Sequence, residues 1–476
     1  MVVLKYHDAQ LYDSDVALFA HSQWLNDSAI NFYFQLLFHT LCVPGDQSQQ
    51  GDASDVLFVD PAVVSCMMLQ CDDDDEYQEL ASGLQLQQKQ LAFIPTHSFE
   101  HFDSSSGCNT RAAKRIMSTF EKMLWLCSES SGAGVRAVAD AATFVNVRDA
   151  PQQSNGFDCG MYVLVVAEYL CRQHVMALSG GKPLSSLQEF VTPERVTKTR
   201  LEMPALIRRL QLMVSASAVS AVCTRYVDKM IESLSVDDGV DVLMLSEMAL
   251  TGYVFETKEQ AELLAEVAGE GKTFAWCQRH ARRLKCMVMC GYIERDATSA
   301  TFYNAMMVVS PQGELVCNPR KSFLYETDKL WATEGAGFTT WHCPWLDKTI
   351  SFGICMDINP YEFSAPFEDF EFATHVLKHE SDLVLFSCAW CDHDPDETET
   401  YPTLSYWATR LSPITRALKQ GTFAKKSCHF LCSNRTGEEN GTYFVGASCA
   451  MSLEEPALLT HATRMEEKLL RVDIPL

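Results

Sequence analysis

Gly353-Ile-Cys-Met-Asp-Ile-Asn-Pro-Tyr-Glu-Phe363 closes an apolar run, residues 350–355, with a cysteine and then breaks at Asn359-Pro360. A continuous apolar run stopped by a proline turn reads as a strand buried on both faces. Residues 241–245, 286–292, 302–309, 383–387 and 428–433 read the same way. Helical patterns lie among them, as at 224–234 and 258–267. Short buried strands alternating with helices predict a layered α/β fold for the second half of the chain.

Three of these strands bring a reactive or charged residue to a strand end or to the turn that follows one, where α/β folds collect functional groups. Glu247 follows Val242-Leu-Met-Leu-Ser246, Lys321 follows the hairpin return 311–320, and Cys355 ends its own run. A thiol attacks only as thiolate and needs a base or a positive charge nearby. A glutamate can take its proton and hand it to a leaving amine, and a lysine can stabilise an oxyanion. The three together suffice for amide hydrolysis through a thioester.

Ser246-Glu-Met-Ala-Leu-Thr-Gly-Tyr253, Asn318-Pro-Arg-Lys-Ser-Phe-Leu-Tyr325 and 353–363 resemble, in order, the three signature segments of the nitrilase superfamily. The continuation through Ala365-Pro-Phe-Glu-Asp-Phe-Glu-Phe-Ala373 resembles its protein N-terminal asparagine/glutamine amidases. The resemblance implies an αββα sandwich, with Glu247 as base, Lys321 as oxyanion stabiliser and Cys355 as nucleophile. It implies protein substrates with N-terminal Asn or Gln, and pairing of such domains into dimers. A small-molecule amide or N-carbamoyl substrate is the rival reading. Asp357 is the candidate partner for a substrate α-ammonium. Three departures stand out. Only residues 210–222 could supply the usual first strand, Phe323 stands where many relatives carry histidine, and Glu326 and Glu334 compete as second glutamate. Cys388-Ala-Trp-Cys-Asp-His393 has a metal-like spacing but no second ligand pair, so it reads as packing, and no metal or cofactor is expected.

In the first half, Gln153-Ser-Asn-Gly-Phe-Asp-Cys-Gly-Met-Tyr-Val163 opens an apolar helical run ending near Cys171. Cys159 thus sits at a helix N-terminus, which favours thiolate, and Gln153 can point its amide at an oxyanion. This segment resembles the nucleophile segment of the Ulp1-like peptidases that process SUMO and NEDD8. Ser22-Gln-Trp-Leu-Asn-Asp27 with Ile30-Asn-Phe-Tyr-Phe34 resembles the NEDD8-specific branch. The resemblance implies an α+β papain-like fold, a ubiquitin-like modifier (NEDD8 or SUMO) as partner, and Asp103 as the aspartate that orients a histidine base. The histidine departs from the pattern. His97 stands six residues before Asp103 with no tryptophan after it, and about a strand and its turn are missing. A weakened or inactive peptidase is therefore expected, with His97 as the remaining candidate base; a binding module that holds the modifier without cutting it is the rival reading.

Acidic residues outnumber basic ones, 62 to 38, for a net charge of −24. Such a surface repels nucleic acid and anionic membranes. The longest apolar run, 161–170, is well short of the roughly 20 residues a spanning helix needs. Nineteen scattered cysteines without a signal-peptide layout predict a reducing compartment, the cytoplasm or the nucleus. The acidic run 72–76 reads as a solvated loop. Small residues between 210 and 222 place the division there: a peptidase-like domain at 1–210, a junction at 211–224 and a nitrilase-like domain at 225–476.

Overall fold

Two units, Met1–Gln211 and Leu212–Leu476, divide the computed structural model, which describes residues 1–42, 55–71, 73–89, 91–94, 110–131, 151, 153, 155–455 and 457–475. The first opens with an antiparallel hairpin, β1 (Val2–Tyr6) and β2 (Ala9–Tyr12). Helix α1 (Asp27–Leu37) starts at Asn26, whose side chain accepts the Ala29 N–H, satisfying one of the donors a helix start leaves unpaired. Its face of Ile30, Phe34 and Leu37 packs in one core with Met161, Leu164, Val165 and Cys171. A parallel pair, β3 (Val56–Phe58) and β4 (Leu91–Phe93), is accompanied by α2 (Pro61–Leu69), α3 (Asp74–Gly83) and α4 (Thr110–Ser131). Mixed helices and small sheets make this unit α+β.

From Asp73 onward the acidic run does not form a loop, and Asp72 lies outside the described residues. Asp73 caps α3 by accepting the Glu76 N–H, with Asp74, Asp75 and Glu76 in the first turn, where carboxylates complement the positive end of the helix dipole. Helix α5 (Cys159–Leu178) carries the first-half cysteine at its first residue. Helix α6 (Pro193–Met230) contains the whole small-residue stretch 210–222. That stretch therefore supplies no strand. Its Ala, Leu and Met are helix formers, and without a period-2 pattern nothing favoured a sheet. By length and composition alone α6 is apolar enough to cross a membrane, a property that counting uninterrupted apolar runs overlooks.

The second unit stacks two sheets. The first orders β5 (Val242–Met244), β6 (Met287–Arg295), β7 (Phe302–Val309) and β8 (Leu315–Cys317), with β5 and β6 parallel and the rest antiparallel. The second runs β16-β15-β12-β11-β10-β9. Its centre is the parallel trio β10 (Lys348–Ile354), β11 (Leu383–Cys388) and β12 (His429–Asn434), with β9 (Thr339–Cys343), β15 (Cys449–Ser452) and β16 (Ala457–His461) antiparallel at its flanks. A small hairpin, β13 (Thr436–Glu439) and β14 (Thr442–Val445), stands apart.

Alternation explains the layering. Met287 and Met289 of β6 join the core formed with Ile350, Phe352 and Leu385 of the other sheet. Val288, Cys290 and Tyr292 face the other way, against Trp276, Ala281 and Leu284 of helix α8 (Gly271–Leu284), which follows α7 (Lys258–Leu264). Successive strand side chains point to opposite faces, so a strand covered on both sides is apolar throughout. On the far side α9 (Glu371–Lys378), α10 (Tyr401–Arg410) and α11 (Ser412–Lys419) contribute Phe372, Val376, Trp407 and Ile414 to the second sheet's core. The layers are helix, sheet, sheet, helix: an αββα sandwich.

Candidate active site

Glu247 stands just beyond β5, where the chain turns sharply and Met248 takes a left-handed φ of 50°. Gly291 of β6 makes room for this turn. A Cβ there would lie 2.7 Å from the Met248 nitrogen and 2.8 Å from Glu247 Cα. Lys321 follows β8, its N–H donating to Asn304 O at 2.8 Å. Cys355 follows β10 directly in a left-handed conformation, φ 44°, costing about 1–3 kcal/mol for a residue with a Cβ. Such strain persists where surrounding structure enforces it. Gly353 permits the packing behind it, since a Cβ there would press into Phe386 and Phe372.

Glu247 and Lys321 are fully buried and paired, Nζ to Oε1 at 2.8 Å. Asn304 Nδ2 donates to the same oxygen at 2.6 Å, and the Ala389 N–H donates to Oε2 at 2.7 Å. Lys321 has a second carboxylate, Asp328 Oδ2 at 2.6 Å, itself fixed by the Tyr325 N–H and by Asn304. Burial opposes the Lys321 charge, yet Asp328 and Glu247 outweigh it and hold the ammonium well above its ordinary range. Burial pushes Glu247 up and Lys321 pulls it part of the way back, while Asp328 adds to the rise. The carboxylate is thereby readied to accept a proton.

Contact with the Cys388 thiol, then burial and the Glu247 charge, push the Cys355 thiol well above its usual range against the pull of Lys321. The resting nucleophile is therefore a thiol that must surrender its proton as it reacts. Cys355 opens onto a cleft of about 450 Å3. Met356, Asn359 and Ala389 join it in the buried floor, Tyr325, Trp390 and Tyr406 form walls, and Phe363, His393 and Pro402 reach the rim.

Asp357 does not face this cleft. It is buried, and its oxygens accept the N–H groups of Ser322 (2.9 Å), Phe323 (2.8 Å) and Ile354 (2.8 Å). With its lone pairs turned to backbone, it clamps the Cys355 turn to the segment following Lys321 instead of greeting a substrate ammonium. Neither expected second glutamate adjoins Lys321. Glu326 is exposed and Glu334 accepts from the Tyr361 hydroxyl at 3.3 Å. Asp328 takes that place. Its only signal was position, a carboxylate seven residues past the lysine, with no apolar periodicity to mark it. Phe323 packs its ring against Phe338 and Tyr361.

In the first unit Cys159 begins α5 after Asp158, which is buried and paired with Arg200 at 2.9 Å. Arg200 also donates to Leu18 O and Ala20 O. Gly160 packs against Leu25, where a Cβ would sit 3.1 Å from the leucine Cβ, so the Trp24-Leu25-Asn26 segment borders the cysteine. Gln153 is half-buried on the chain entering α5. His97 and Asp103 lie outside the described residues.

The carbon–nitrogen hydrolase family model matches residues 208–364, and the Ulp1 protease family, C-terminal catalytic domain, matches 85–180. The protein N-terminal amidase of Schizosaccharomyces pombe is 34% identical over 241 residues, covering 47% of this chain and 82% of that protein. Sentrin-specific protease 8 of Mus musculus is 33% identical over 233 residues, covering 44% of this chain and 93% of that protein. The chain belongs to both families. It joins a Ulp1-type peptidase unit to an N-terminal amidase-type carbon–nitrogen hydrolase unit, and it is a hydrolase. A crystal structure of an N-terminal amidase aligns over 54% of this chain and 92% of its own, at 19% identity and a TM-score of 0.43. In the carbon–nitrogen hydrolase unit the three sequence signatures converge on one buried cluster.

Proposed function

We propose that the C-terminal unit hydrolyses the side-chain amide of an N-terminal Asn or Gln of proteins, releasing ammonia. The buried Glu247–Lys321–Asp328 cluster beside a strained cysteine at the floor of a cleft carries this reading. Glu247 takes the Cys355 proton as sulfur bonds to the amide carbon, and the Lys321 ammonium offsets the charge gathering on the amide oxygen. Glu247 then returns the proton to the departing nitrogen, which leaves as ammonia, and a thioester remains. Water, deprotonated by Glu247, attacks the thioester, releasing Asp or Glu and restoring the thiol. The cleft walls suit an α-ammonium through the faces of Tyr325, Trp390 and Tyr406. The similarity to protein N-terminal amidases supports the substrate class.

The test is ammonia release from Asn-, Gln- and acetyl-Asn-initiated peptides by the full chain. Release confined to free N-termini supports the proposal. Release from small amides alone overturns it in favour of a small-molecule amidase.

For the N-terminal unit we propose recognition of a NEDD8- or SUMO-like modifier with little or no cleavage, because the sequence around His97 lacks the spacing a histidine base requires. Pull-down of modifier without processing of its C-terminal extension supports this reading. We place both activities in the cytoplasm, following the cysteine usage.

A further inference from the structure

Exposure divides the cleft into depths. Cys355, Met356 and Ala389 are buried, whereas Phe363 is 60% exposed yet still lines the same cavity. An amide that reaches Cys355 must come in side chain first. The substrate backbone then rises toward the rim, and the residue following the Asn or Gln meets Phe363, Pro402 and His393.

The backbone beneath Phe363 is held in an unusual state. Glu362 and Phe363 are consecutive left-handed residues, φ 52° and 54°, each disfavoured by about 1–2 kcal/mol for a side chain with a Cβ. Several contacts enforce it. The Phe363 N–H donates to Pro360 O at 2.9 Å and Glu362 pairs with Lys329 at 2.8 Å. The Tyr361 N–H donates to Glu371 at 3.0 Å, and Arg410 fixes Ile358 O and Glu371. Such strain persists only where the surroundings enforce it, and here it fixes an apolar ring at the cleft mouth.

We infer that Phe363 is a specificity-determining residue: its ring is the platform for the second residue of the substrate, favouring large apolar side chains there. The inference rests on the N-terminal amidase reading above. Among the described residues lining the cleft, His393 is the only basic side chain, so an acidic second residue finds no strong partner, while a leucine or phenylalanine loses water against the ring. Discrimination by a partly buried apolar contact is worth about ten-fold in kcat/KM.

The experiment measures kcat/KM of the full chain for free-N-terminus peptides beginning Asn-Leu, Asn-Phe, Asn-Gly and Asn-Glu. The expected order places Asn-Leu and Asn-Phe about ten-fold above Asn-Glu, with Phe363→Ala levelling the series. Phe363→Lys, which supplies a cation at the rim, should raise Asn-Glu relative to Asn-Leu. Equal turnover of all four by the wild type, or an unchanged order in both variants, overturns the platform while leaving the amidase reading intact. Turnover of none overturns both.

Discussion

Replacing Asp328 with Asn removes one of two carboxylates from a buried ammonium while leaving shape and hydrogen-bond reach nearly unchanged. Lys321 Nζ lies 2.6 Å from Asp328 and 2.8 Å from Glu247, with all three side chains essentially out of water. In the variant Lys321 has Glu247 as its sole counter-charge and draws on it more strongly. Asp328 also raises Glu247 directly, so its loss lowers the basicity of Glu247 twice over. A charged hydrogen bond of this kind is worth about 1.5–3 kcal/mol, which converts to roughly 10- to 150-fold in rate. We expect kcat/KM for ammonia release from an Asn-initiated peptide to fall by that factor, with its acidic limb displaced to lower pH. Because one ion pair survives, the melting temperature should fall less than for Lys321→Met, which leaves two carboxylates facing each other. An unchanged kcat/KM, or an acidic limb moving to higher pH, would refute the reasoning.

Burial pushes Asp357 up to about 7, against the pull of the backbone N–H groups it accepts. Its folded value is above its unfolded one, so its contribution to stability is full below about pH 4 and is lost as pH rises through about 7. Asp357→Asn should flatten that slope in thermal melts between about pH 4 and 7, and should lower kcat more than it raises KM, as expected of a clamp that does not touch substrate. Gly291→Ala drives a methyl into the Glu247 turn and should cost about 1–3 kcal/mol of stability together with most of the amidase activity. Wild-type activity in that variant would show that the turn relaxes freely. Arg200→Ala strands the buried Asp158 beside Cys159 and should cost roughly 3–5 kcal/mol. Protease resistance of the N-terminal unit reports this loss, and undiminished resistance would contradict it.

The strands of the second unit were legible because burial on both faces makes them apolar throughout. Residues 302–309 form β7 over the same span, and 383–387 and 350–355 match β11 and β10 to within two residues at either end. The Cys355, Glu247 and Lys321 positions were legible because each lies in a distinctive word at a strand end. What escaped was set by tertiary surroundings. Whether Asp357 faces substrate or backbone depends on how the Lys321 segment crosses it, which no local pattern encodes. Asp328 becomes a partner of Lys321 only after the chain has turned back upon Tyr325. The stretch 210–222 carries neither period, so helix propensity decided it. The carboxylates at 73–76 begin a helix for a local reason, since aspartate caps helix starts as readily as it fills loops.

The central claim is that Cys355 forms a covalent thioester with the substrate. Acid-quenched intact mass measurement on the full chain during turnover of an Asn-initiated peptide tests it most directly. The expected result is an adduct equal to the peptide less ammonia, mapped to Cys355 and absent from Cys355→Ala. Ammonia release by Cys355→Ala, or an adduct on another cysteine, would contradict it.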